Sequence, residues 1–83
     1  NMRDENFIIE VNGKKINCEM FYTFEKNGNN YMIYTDHILD ESGEERLLAA
    51  KYIIENNKVT LNDNLSKEEY DMIDKEMEKY INA

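Results

Sequence analysis

Turn signals recur along this chain at nearly even intervals: Asn12-Gly13, Asn27-Gly28, Asp40-Glu41-Ser42-Gly43 and Asn56-Asn57. Between them lie blocks rich in Ile, Phe, Tyr and Val. Asn and Gly are the residues that most readily accept the left-handed backbone of a two-residue type I′ hairpin turn. Evenly spaced strand blocks joined by such turns predict a meander of antiparallel hairpins. No block repeats another, and no low-complexity tract divides the chain.

Each turn fixes its own register, with one free choice in the length of the third loop. Asn12-Gly13 pairs Val11 with Lys14, Ile9 with Ile16 and Phe7 with Cys18, and sets Glu10 opposite Lys15 as a favourable cross-strand charge pair. Asn27-Gly28 pairs Phe24 with Tyr31 and Tyr22 with Ile33. A four-residue loop over 40–43 pairs Ile33 with Ala50 and Thr35 with Leu48. Asn56-Asn57 pairs Ile54 with Val59 and Tyr52 with Leu61. Five strands result. In that register one continuous apolar face runs from Phe7 to Leu61, and a one-residue slip anywhere breaks it.

After residue 62 the period changes. Ser66-Lys67-Glu68-Glu69 is a capping box, and Leu65 and Tyr70 are spaced as a hydrophobic staple. Tyr70, Ile73, Met77, Tyr80 and Ile81 then keep helical spacing. Acids at the start and Lys79 near the end suit the helix dipole. The expected fold is therefore α+β: an antiparallel meander of about five strands with one C-terminal helix packed on one face. The helix is expected to cover the continuous apolar face, which a single-layer sheet would otherwise leave in water.

The other face is mixed. Phe21, Met32, Tyr34 and Ala49 fall on it, with Phe21, Tyr34 and Ala49 aligned across three neighbouring strands. Such a cluster reads either as ordinary surface aromatics or as a partner-facing patch, for an unidentified protein or a second copy of the chain.

Composition bounds the function. The chain has 83 residues, of which 41% are hydrophobic and 11% aromatic, arranged periodically and without proline. That separates it from disordered acidic chains, although charged residues make up 34%. A net charge of −8 opposes binding to nucleic acid phosphates or anionic lipid. No apolar run approaches the roughly 18 residues of a membrane helix. One cysteine cannot form an internal disulfide, so nothing calls for an oxidising compartment and a cytoplasmic location is expected. Residues 1–6 read as a disordered or tag-derived N-terminus, with Asn1 before Met2 as a cloning remnant, and residues 7–83 as a single domain.

No catalytic, cofactor or metal site is expected. His37, the one histidine, has Asp36, Asp40 and Glu41 near it, but a strand end and a loop do not converge three ligands on one point. Cys18 falls on the apolar face and beside Glu19, which disfavours a thiolate. Ser42 and Ser66 are assigned to a turn and a helix cap, so neither is available to a triad. The three glycines lie in turns and form no phosphate loop. Asn62-Asp63-Asn64 lacks the remainder of a calcium loop.

The strand pair from Cys18 through Thr23-Phe24-Glu25, the turn at Gly28, Tyr31-Met32-Ile33-Tyr34, the acidic connection over 40–45 and the helix from Glu68-Glu69-Tyr70 to Ile73 together resemble the YrzB-like small acidic bacterial proteins. These are known as domain of unknown function 1292. The resemblance spans about residues 7–81, though this chain is less acidic and has no acidic tail. The Asn, Lys and Ile bias fits the low-GC, Firmicute-like hosts of that family. The resemblance implies no activity, cofactor or catalytic residue. The leading expectation is a small non-enzymatic interaction or regulatory module. The alternatives are an acidic nucleic-acid mimic that inhibits a basic protein, and a small metal-binding or enzymatic domain.

Overall fold

A computed structural model describes residues 5–82. Five strands, β1 (Glu5–Val11), β2 (Lys14–Lys26), β3 (Asn29–Thr35), β4 (Leu48–Glu55) and β5 (Lys58–Asn62), precede one helix, α1 (Lys67–Ile81). The strands form a single antiparallel sheet in chain order, curled toward a barrel. β1 begins at Glu5, so residues 5 and 6, expected in a disordered or tag-derived terminus, are paired with Met20 and Glu19. The rest of that expected terminus lies outside the described residues.

Three of the four hairpins adopt the expected registers. Asn12 and Gly13 have φ of 51° and 80°, Asn27 and Gly28 54° and 81°, and Asn56 and Asn57 53° and 64°. Two consecutive positive φ angles are the type I′ signature, whose twist matches that of the strands it joins. Phe7 opposes Cys18, Phe24 opposes Tyr31 and Ile54 opposes Val59.

Two departures reorganise the core. β2 carries a bulge at Phe21, so that Met20 opposes Tyr34 while Tyr22 opposes Ile33. In the third hairpin Ile33 pairs with Ala49 and Tyr34 with Leu48, one residue from the expected register. Each slip inverts the faces of the residues beyond it, and the second cancels the first. Only the segment around residues 21–35 is inverted, and the expected single apolar face becomes two.

The inner layer, enclosed by the curl of the sheet, is built on Cys18, Met32, Tyr34 and Ala50, ringed by Phe7, Ile9, Ile16, Met20, Leu48, Tyr52, Val59 and Leu61. The outer layer joins Tyr31 and Ile33 to Ile73 of the helix, flanked by Tyr22, Phe24, Leu65, Met72 and Met77. Phe24 stacks on Tyr31 with ring centres 5.4 Å apart, and Tyr22 lies 4.5 Å from Tyr80. Each apolar side chain fully buried in either layer contributes about 1.5–3 kcal/mol.

The helix is anchored through its cap. Ser66 Oγ accepts from the Glu69 N–H, and Glu69 Oε1 accepts from the Ser66 N–H at 2.9 Å. The other carboxylate oxygen accepts from Tyr31 Oη at 2.6 Å and lies 3.2 Å from Lys51 Nζ. One carboxylate thus starts the helix and ties it to β3 and β4. These donors, the Tyr31 hydroxyl first, hold the Glu69 carboxyl down at about 2.

Candidate functional site

The expected partner-facing patch does not form a surface. Met32 is fully buried and Tyr34 is 5% exposed, both at the centre of the inner layer. Ala49 is half-buried and packs with the outer layer beneath the helix. Of the four residues only Phe21 is exposed, at 43%. The bulge at Phe21 is the cause, since it turned β3 over and carried Met32 and Tyr34 inward.

The polar residues singled out in the sequence have local duties. Asp36 accepts from Arg46 Nη2 at 2.6 Å and Nε at 3.1 Å, closing the base of the loop between β3 and β4. That Arg46 fork, with the Ile38 N–H beside it, holds the Asp36 carboxyl below its ordinary value. His37 Nδ1 lies 3.0 Å from Glu45 Oε1. Asp40 Oδ1 accepts from the N–H and hydroxyl of Ser42 and from the Glu44 N–H. Among the described residues, no three His, Cys, Asp or Glu side chains are placed to hold a metal ion. Cys18 is wholly buried, and burial followed by the charge of Asp36 pushes its thiol up, away from a reactive thiolate. No helix among the described residues is long and apolar enough to cross a membrane.

The feature with binding geometry lies elsewhere, where the curled sheet fails to close. β1 and β5 come within 8 Å of each other between Cα atoms, yet no ladder joins them. Between them runs a groove of about 600 Å³, within the range of small ligand sites. Ile9, Val59 and Leu61 wall it, Tyr34 lines its inner end, and Lys58 and Asp63 stand at its rim. Antiparallel ladders alternate hydrogen-bonded and open pairs, and a two-residue turn begins the alternation with a bonded pair. Counting from Val11/Lys14 leaves the backbone groups of Asn6, Ile8 and Glu10 pointing away from β2. Counting from Glu55/Lys58 leaves those of Val59 and Leu61 pointing away from β4. Two rows of unpaired donors and acceptors therefore line the gap.

An odd number of antiparallel strands sets β1 and β5 parallel to each other. A segment entering between them in the opposite sense would be antiparallel to both, the better-bonded arrangement. Two ordinary spacings come to about 9.6 Å, so the edges must part where such a segment enters. β1 lacks the Lys, Pro or bulge that usually blunts an exposed edge, and Ile8 and Val11 on it are 56% and 45% exposed.

Tyr34 gives the groove a polar point. Its ring meets Phe7 edge-on with centres 5.8 Å apart. Burial, then the nearby charge of Asp63, push its hydroxyl up to about 12. Among the described residues that hydroxyl makes no hydrogen bond, and because Tyr34 borders the groove, an occupant that displaces water there must offer it a partner. Reading the sequence alone missed the groove. The signal was the parity of the strand count, together with the unguarded Asn6-Phe7-Ile8-Ile9 edge.

A family model described as "Protein of unknown function (DUF1292)" matches residues 12–82. No curated protein and no solved structure matches the chain.

Proposed function

The chain belongs to this family of proteins of unknown function, and we propose that it is a non-catalytic protein-binding module whose site is the groove between β1 and β5. The observation that carries the reading is the pair of unpaired strand edges facing each other across a 600 Å³ opening. Main-chain hydrogen bonds from two edges supply affinity to an extended segment of another protein, and side-chain pockets supply selectivity. Nothing in that geometry activates a nucleophile or a water. The net charge of −8 favours a basic protein partner and repels phosphate backbones. A lone buried thiol suits a reducing compartment, and we place the module in the cytoplasm.

Co-purification from source-cell lysate tests the reading, with Ile8→Pro and Phe21→Lys beside the native chain. Proline at position 8 removes an outward N–H without touching the β2 ladder. A partner held by the native chain and by Phe21→Lys, and lost with Ile8→Pro, is the expected result. Dependence on Phe21 instead would move the site to the bulge. If the native chain retains no specific partner, the module reading fails.

A further inference from the structure

Two groups at the groove are left unmatched by the fold. Tyr34 is almost wholly buried as a residue yet borders the groove, and its hydroxyl is without a hydrogen bond among the described residues. Asp63, at the rim, has no ion pair there either. Glu10, Lys15 and Lys58 also border the groove, Glu10 and Lys15 opposite each other on one ladder and Lys58 opposite Glu55 on the other. Neither lysine forms an ion pair with Asp63 among the described residues. Among the described residues no positive donor of the chain itself pairs with Asp63 or bonds the Tyr34 hydroxyl. Resting on the binding-module reading above, we propose that the occupant is an extended segment of a partner protein, antiparallel to β1 and β5, carrying a Lys or Arg that donates to the Tyr34 hydroxyl oxygen and pairs with Asp63.

The chemistry selects this occupant over others. An acidic strand would set its charge against Asp63 and against a chain of net charge −8. A wholly apolar strand would seal the Tyr34 hydroxyl away from water and leave it unmatched. A basic side chain among apolar neighbours satisfies both groups. Its approach is also favoured by the long-range field of the molecule. A second copy of the chain offers β1, Glu-Asn-Phe-Ile-Ile-Glu-Val, which holds no basic residue, or β5, Lys-Val-Thr-Leu-Asn, whose one basic residue, Lys58, stands at its first position directly after the turn with no apolar strand residue before it.

The test starts from a displayed library of random ten-residue peptides selected on the native protein. An enriched peptide, labelled with a fluorophore, is then titrated against the native chain, Tyr34→Phe, Asp63→Asn and Ile8→Pro. Enriched sequences should share one Lys or Arg flanked by alternating apolar residues. Replacing that residue with Met should weaken binding about tenfold or more, as for a charge-assisted hydrogen bond. Asp63→Asn and Tyr34→Phe should each weaken the basic peptide and leave the Met peptide unchanged. Asp63 is exposed, so its variant keeps the test valid should Tyr34→Phe disturb the core. Equal binding of the basic peptide by the native chain and Asp63→Asn overturns the basic contact, while loss with Ile8→Pro still upholds the module. Undiminished binding by a peptide with N-methylated backbone amides overturns strand addition. If no peptide is enriched, both readings fall.

Discussion

At the scale of single residues, Glu69 shows how one side chain can join local and tertiary structure. It is helix cap, acceptor for Tyr31 and counter-ion for Lys51. Because its folded carboxyl is held at about 2, below the ordinary 4.5 of a glutamate, the stabilisation is present in full above the unfolded value. It is lost as pH falls from about 4.5 toward 2. Thermal unfolding of the native chain and Glu69→Gln should therefore differ most above about pH 5 and converge near pH 2; a constant gap would mean the charge is irrelevant. Met32, fully buried, offers a complementary test. Met32→Ala should cost about 2–5 kcal/mol, whereas Phe21→Ala should cost far less, both read from urea midpoints at constant slope. Similar losses would contradict the inward turn of β3.

Among the elements, β2 carries the decisive irregularity. The three two-residue turns were legible because Asn-Gly and Asn-Asn state their backbone requirement in the sequence. The capping box around Ser66 was legible for the same reason. The bulge was not, since Phe21 differs in no way from the strand residues around it, and only the packing of both faces decides where an extra residue goes. The loop between β3 and β4 hid its register similarly: Asp36 holds Arg46 across its base and Asp40 holds Ser42 and Glu44 at its tip, and β4 pairs one residue away from the register of a four-residue loop. Deleting Phe21 forces Tyr22 and Phe24 inward or Met20 outward. The deletion should abolish cooperative unfolding, whereas Phe21→Ala retains it. A deletion variant with native near-UV dichroism would show that the bulge is dispensable.

For the whole molecule, the two apolar layers and the unclosed edge belong together. Splitting one face into two gave the helix its own layer and left the curled sheet to enclose the other, short of closure by one seam. Burial of Met32 and Tyr34 depends on that global curl, to which no single strand bears witness, so the sequence places them on a surface they do not occupy. Amide exchange reads the seam directly. The N–H groups of Ile8 and Glu10 should exchange much faster than those of Phe7 and Ile9, which bond to β2. Protection along the whole of β1 would mean that the gap is closed in solution.

The chain-order sheet also has a history in time. Each strand pairs only with its neighbours in sequence, and three of the four connections are two-residue turns, so little loop entropy opposes each pairing. Hairpins can form one after another as the chain leaves the ribosome, with no early strand waiting for a late partner. Only α1, made after all five strands, must reach back across the sheet. Until it does, Tyr31 and Ile33 stay uncovered, and the five finished strands are most vulnerable to aggregation in the interval before the helix docks.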